Sequence, residues 1–228
     1  MDPVLEFKNV SKSYLSGERR QWVLKDISLS LEPGEFLAVI GPSGSGKTTL
    51  LSLAGLLLNC DSGEIWLSGR NVTRAEQKQM SSIRRNELGF VFQNFNLIPV
   101  LNALENVELA LHGLEPDRKK RRSRALESLQ SVGLEGMELR RPAELSGGQQ
   151  QRVGIARSLV RKPKLMIVDE PTASLDSATR DGIIQLLGEL PERYGTTLLL
   201  STHDDRVAKA ASRIVAIDNG SLSEADAA

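Results

Sequence analysis

Gly41-Pro42-Ser43-Gly44-Ser45-Gly46-Lys47-Thr48 is the stretch from which this chain is read. It fits the pattern G-x-x-x-x-G-K-[ST], and the spacing has a physical reason. Glycines let successive backbone N–H groups wrap a phosphate without Cβ clashes. A helix that starts directly afterwards adds the positive end of its dipole. In that frame Lys47 reaches the β- and γ-phosphates of a nucleotide, and Thr48 offers a hydroxyl to Mg²⁺. The flanks agree. Phe36–Ile40 is a short apolar run, as in a strand buried on both faces. The residues from about Lys47 to Leu57 read as a helix.

Working outward, Leu165-Met-Ile-Val-Asp169-Glu170 is a second buried strand, closed by two carboxylates. The carboxyl ends of strands are where open α/β sheets bind ligands. Asp169 is therefore placed to hold Mg²⁺, and Glu170 to polarise an attacking water as general base. Leu145-Ser146-Gly147-Gly148-Gln149 is the most specific string. Ser146 caps a helix whose glycines leave its first backbone N–H groups bare, which again suits an anion. A chain with its own phosphate loop needs a second such helix end if that end serves the nucleotide of another copy.

The remaining sequence frames these motifs. Leu5–Tyr14 and Val23–Leu31 read as strands, Pro33-Gly34 as a turn, and Thr197–Leu200 as another buried strand after a helix that starts near Ser177. Alternating buried strands and helices predict a largely parallel sheet covered by helices. Between about Asn102 and Arg161 the character turns helical and more charged. Ala103–Leu111 and Asp117–Val132 carry apolar residues at helical spacing, with Pro116 where a helix begins. The 228 residues are read as a single domain with an α/β P-loop core and β subdomain over about 1–93 and 164–221, and an inserted helical subdomain over about 94–163.

Composition narrows the function class. Lys plus Arg and Asp plus Glu both number 29, so nothing draws the whole chain to nucleic acid or anionic lipid. The basic run Arg118–Arg124 reads as a solvated helix face. The lone cysteine, Cys60, forms no intrachain disulfide and reads as a small buried apolar residue, in keeping with a reducing compartment. The start, MDPVLEFKNV, lacks the basic and apolar segments of a signal peptide. The longest apolar stretch, Leu50 to Cys60, is too short for a membrane span, which needs about 20 residues.

In order and spacing, the strings Gly41–Thr48, Leu145–Gln149 and Leu165–Glu170 resemble the nucleotide-binding domains of ABC transporters over nearly the whole chain. The resemblance implies a P-loop NTPase core of ABC type with an antiparallel β subdomain, ATP and Mg²⁺ as cofactors, and ATP hydrolysis coupled to transport. It extends the nucleotide contacts through Gly41, Pro42, Ser43, Gly44, Ser45, Gly46, Lys47, Thr48 and Thr49. Gln93 corresponds to the glutamine that touches Mg²⁺ and the lytic water, and His203 to the switch histidine at the γ-phosphate. Ser174-Leu-Asp176 corresponds to the loop that crosses the dimer interface, and Tyr14 to an aromatic that stacks on adenine. No position departs from the pattern, so both sites of a homodimer are expected to hydrolyse ATP.

Leu88–Pro99, Leu101–Leu109, Gly34-Glu-Phe36 and Thr202-His-Asp204 resemble the MacB, LolD and YbbA group, with the 96–107 segment nearest the YbbA branch. That group implies a permease partner, a periplasmic adaptor in some systems, and a peripheral place on the cytoplasmic face of a bacterial inner membrane. It acts on lipids, lipoproteins, peptides or small hydrophobic compounds. The contrasting class is a soluble ABC ATPase of DNA repair or translation. Repair types carry long coiled coils between the motif halves and ribosomal types carry two cassettes, and neither feature is present. The loop from Asn94 to Glu105 is expected to expose Phe95, Leu97, Ile98 and Leu101 as a coupling surface.

Overall fold

A computed structural model describes residues 2–17 and 19–225. Its centre is a six-stranded sheet in the order β10-β9-β3-β8-β7-β6. These are β3 (Phe36–Ile40), β6 (Leu88–Val91), β7 (Leu165–Asp169), β8 (Thr197–Thr202), β9 (Arg213–Asp218) and β10 (Ser221–Ala225). All neighbours pair in parallel except β10, which runs antiparallel along β9 at the edge. The continuous apolar runs predicted for β3, β7 and β8 follow from burial on both faces. On β3, Phe36 and Ala38 face one core while Leu37 and Val39 face the other; on β7, Met166 and Val168 alternate likewise with Leu165 and Ile167.

One face of this sheet carries α1 (Lys47–Ala54) and a four-stranded antiparallel sheet in the order β2-β1-β4-β5. Its strands are β1 (Leu5–Ser16), β2 (Arg19–Leu31), β4 (Ser62–Leu67) and β5 (Arg70–Asn71). Leu5, Phe7, Leu24, Leu31 and Leu67 join Leu37, Leu50 and Leu53 in one buried cluster. The other face carries α6 (Ser177–Tyr194) and the helices α3 (Ala103–Leu109), α4 (Arg118–Ser131) and α5 (Gly147–Leu159), which pack on one another. The Ser128 hydroxyl donates to Ala156 O across the α4–α5 contact (2.8 Å). Among the described residues no helix is long and apolar enough to cross a membrane.

Several elements differ from the sequence reading. Helix α1 stops at Ala54 and not at Leu57, because Leu56 turns into the left-handed region (φ 53°). Helix α4 begins at Arg118, two residues later than Pro116 suggests, since the Asp117 side chain caps it through Lys119 N–H (2.8 Å). Cys60 is only half-buried, and desolvation raises its thiol pKa. Helix α2 (Gln77–Glu87) and strands β4 and β5 had no counterpart in the sequence reading.

Candidate functional site

Sheet register gathers the site. Ile40, the residue before the glycine loop, lies beside Thr202, and Asp169 lies beside Ser201. Three loops therefore leave one edge of the sheet together: 41–46 after β3, 170–176 after β7 and 203–204 after β8. This is the carboxyl edge, where a parallel sheet opens to ligands.

The first loop folds back as the sequence predicted. Gly46 precedes α1 with φ 112°, a conformation that L side chains rarely adopt, and a Cβ there would also crowd Val23 O at 3.0 Å. Lys47 is buried, and its Nζ donates to the loop's own Gly41 O (2.7 Å) and Pro42 O (3.0 Å). A charged donor resting on neutral carbonyls is available to a stronger, anionic acceptor. The Ser45 hydroxyl is buried with no hydrogen-bond partner among the described residues, a second donor held inside the loop.

Two other strand ends supply the opposing wall. Asp169 closes β7 and accepts from the Ser201 hydroxyl at 2.5 Å, which fixes one carboxylate oxygen. Glu170 leaves the strand in the left-handed region (φ 45°), uncommon for a residue with a side chain, and its N–H donates to Ser201 O (3.1 Å). Its carboxylate lies 2.9 Å from Nδ1 of His203, which is largely exposed while Glu170 is not. A carboxylate gripped by an imidazole at the mouth of a phosphate loop is suited to orient a water and accept its proton.

These groups line one cleft of about 350 Å³, within the range of small-molecule sites. Of the predicted residues, Ser43, Gly44, Gly46, Lys47, Thr48, Thr49, Gln93, Glu170 and His203 line it. Val23 and Ala173 line it too; sequence reading missed both, because an apolar wall residue carries no motif. Gly41, Pro42 and Ser45 sit in the glycine loop, and Asp169 at the end of β7; none of the four lines the cleft. Tyr14 stands on β1, 42% exposed, with Lys12 Nζ 5.9 Å above its ring, and is not among the lining residues. The cleft offers Mg²⁺ a hydroxyl from Thr48, an amide from Gln93 and, beside them, the Asp169 carboxylate. Few hard oxygen donors with room for phosphates is what Mg²⁺ selects.

Leu145–Gln149 does not line this cleft. Ser146 caps α5 by accepting from Gln149 N–H (3.3 Å), while the Gln149 side chain accepts from Ser146 N–H (2.9 Å). Gly148 has a packing role that the sequence reading did not give it: a Cβ there would meet Thr179 Cγ2 of α6 at 2.0 Å. The start of α5, with Ser146 exposed and Gly147 and Gln149 partly so, therefore stands apart from the residues that line the cleft.

Comparison with known proteins agrees with this geometry. Residues 24–173 match the family described as ABC transporter. The ABC transporter ATP-binding protein YvrO of Bacillus subtilis is 44% identical over 219 residues, covering 96% of this chain and 95% of YvrO. The macrolide export ATP-binding/permease protein MacB of Escherichia coli is 41% identical over 222 residues, covering 97% of this chain but 34% of MacB. Among solved structures, the dimeric post-hydrolysis state of the ATP-binding cassette MJ0796 bound to ADP and Pi superposes with a TM-score of 0.88 at 42% identity, covering 96% and 98% of the two chains.

Proposed function

The chain belongs to the ABC transporter family of ATP-binding proteins, and from that premise we propose how its cleft works and what it drives. It is an ATPase that takes ATP with Mg²⁺ and releases ADP and phosphate. Lys47 exchanges its two loop carbonyls for the β- and γ-phosphates, and the backbone N–H groups of 43–48 close around them. Thr48, Gln93 and Asp169 would hold Mg²⁺, which would supply positive charge to offset that of the phosphates. Glu170 orients the lytic water and accepts its proton, His203 holds the Glu170 carboxylate and meets the γ-phosphate, and Gln93 senses the water. Tyr14 stacks on adenine at the rim. The observation that carries this reading is the Glu170–His203 pair at 2.9 Å in the same cleft as Lys47 and Thr48.

The second half of the nucleotide site comes from another copy. Two chains meet head to tail, and the Ser146–Gln149 end of α5 in each closes on the γ-phosphate held by the other. ATP joins the two chains; hydrolysis removes the shared contacts and the dimer opens, a two-state equilibrium shifted by differential affinity. The helical unit over about 94–163, whose α3, α4 and α5 pack on one another, passes this motion to a permease of MacB or LolD type. That assembly sits on the cytoplasmic face of a bacterial inner membrane, with an adaptor on the periplasmic side where one is present. Its cargo is a lipid, lipoprotein, peptide or small hydrophobic compound. The likeness to MacB, a macrolide export protein, supports this choice.

Glu170→Gln tests the core of the reading. It removes the base and keeps every phosphate contact, so turnover should fall about 100-fold or more while ATP holds a long-lived dimer in light scattering. Turnover near that of the wild type would refute the assignment of Glu170.

A further inference from the structure

His203 is two-thirds exposed (66% for its side chain), so packing does not hold it against Glu170. It also stands between two openings. One is the phosphate-loop cleft; the other is a hollow of about 460 Å³ lined by Thr172, Arg180 and 204–206 among others. A loop with space on both sides needs a tie, and the tie is attached to the next residue. Asp204 Oδ1 accepts from Arg206 N–H (3.0 Å) and so caps the short helix Asp205–Ala208. Asp204 Oδ2 accepts from Arg180 Nη1 at 2.8 Å.

Arg180 lies in the first turn of α6, and its Nη2 donates to Leu175 O at 3.3 Å, in the loop before that helix. A single guanidinium thus joins the loop at 174–176 to the loop that carries His203. Burial pushes the Asp204 carboxyl up, but the Arg206 backbone N–H and the charges of Arg180 and Arg206 outweigh it, leaving the group more acidic than an ordinary aspartate. Arg206 is the weaker partner: it is half-exposed, 3.6 Å from Asp204 and 3.9 Å from Asp181. The clamp is not simply a stabilising ion pair, since Arg180 Nε is buried without a hydrogen-bond partner among the described residues.

We propose that Arg180 is a positioning residue for ATP hydrolysis: through Asp204 it fixes the His203 imidazole on Glu170, and through Leu175 O it makes that placement depend on the 174–176 loop. This rests on the reading of Glu170 and His203 as the reacting pair. The planar fork of arginine suits the task, because two donors of fixed geometry reach two loops at once; lysine has a single charged point.

The test uses Arg180→Ala, Arg180→Lys and Asp204→Asn, each in the wild-type and His203→Ala backgrounds. Steady-state turnover, KM for ATP and melting temperature are measured, with single-turnover phosphate release followed over hours for the slow variants. Arg180→Ala should lower kcat roughly 10- to 100-fold, the scale of a misplaced catalytic group, with KM within about twofold. Arg180→Lys should recover part of the loss, because it keeps the Asp204 pair and gives up Leu175. In the His203→Ala background the same substitutions should cost nothing further, since the residue they act through is gone. The proposal is overturned if kcat stays within about twofold of wild type, if the loss lies in KM, or if it recurs undiminished without His203. If Arg180→Ala does not fold, Arg180→Lys and Asp204→Asn decide by the same non-additivity; Asp204→Asn retains the cap acceptor and loses the charge. An error in the underlying site reading would show separately, as Glu170→Gln turning over normally.

Discussion

Asp61 gathers three side chains from one sheet around its carboxylate. Lys12 Nζ lies at 2.9 Å, the Ser13 hydroxyl and N–H at 2.6 and 2.9 Å, and Arg20 Nη2 at 3.2 Å. The Ser13 hydroxyl, helped by Lys12 and the Ser13 N–H, holds the acid well below the ordinary aspartate range against the desolvation that opposes them. A depressed folded pKa contributes stability that is present above the unfolded value near 4 and lost as pH falls below it toward the folded value. Asp61→Asn should therefore lower stability at pH 7 by about 2 kcal/mol, the scale of hydrogen bonds to a charged group. The gap between variant and wild type should narrow as urea melts are repeated from about pH 5 down to pH 3. A pH-independent gap would show that the charge is not what matters. Nothing in the sequence announces this cluster, because two of Asp61's partners lie 48 and 49 positions away. Lys47, Thr48 and Glu170 were legible for the opposite reason. The backbone that positions them is encoded within a few residues, by glycines that permit the loop and an apolar run that stops at the right place.

At the scale of elements, the strands beside the motifs were readable, and elements that bury few apolar residues were not. Strands β3, β7 and β8 carry unbroken apolar runs, Phe36–Ile40, Leu165–Val168 and Leu198–Leu200, and announce themselves. Strand β4, Ser62–Leu67, buries only Ile65 and Leu67, and helix α2 buries only Met80. Their sequences carry too little periodicity to distinguish them from loop. The loop after Gln93 shows a further limit. Its apolar residues were expected on the surface, yet Phe95 and Leu97 pack against the core of α3, α4 and α5, and Ile98 and Leu101 are half-covered. Polar side chains from the helices hold it there. Arg157 donates to Phe95 O (2.9 Å) and Asn96 O (2.6 Å), and buried Asn106 exchanges bonds with Ile98 N–H and O. The exposed apolar side chain of this loop is Val100, at 74%. Phe95→Ala with Leu97→Ser should thus cost about 2 kcal/mol in lost packing, and lower the melting temperature by several degrees. Val100→Ser should leave both melting temperature and basal ATPase unchanged. An undisturbed melt for the double variant would mean that the loop is not anchored as described, and would return Phe95 and Leu97 to the coupling surface.

For the whole molecule, the decisive fact is a separation. The sheet edge brings together Lys47, Thr48, Gln93, Glu170 and His203, while the capped start of α5 that carries Ser146 lines none of that cleft. If that helix end meets an anion, as proposed, it is one half of a site that a second copy completes. The consequence is a complementation experiment. Lys47→Ala removes the lysine that answers the phosphates, and Ser146→Arg places bulk where the other chain's γ-phosphate must dock. In either homodimer both composite sites are defective, so each variant alone should lose hydrolysis. In a mixed dimer the sites differ. One combines the intact phosphate loop of the Ser146→Arg chain with the intact helix start of the Lys47→Ala chain; the other collects both defects. A mixed dimer holds one whole site out of two, so an equimolar mixture should regain turnover, up to about half that of the wild type if the two sites act independently. Titrating one variant against the other should give a maximum at equal amounts. ATP-dependent light scattering distinguishes the remaining outcomes: Ser146→Arg alone should stay monomeric with ATP. If it dimerises as the wild type does, or if no ratio of the two variants hydrolyses more than either alone, each chain holds its own complete site and ATP is not what joins them.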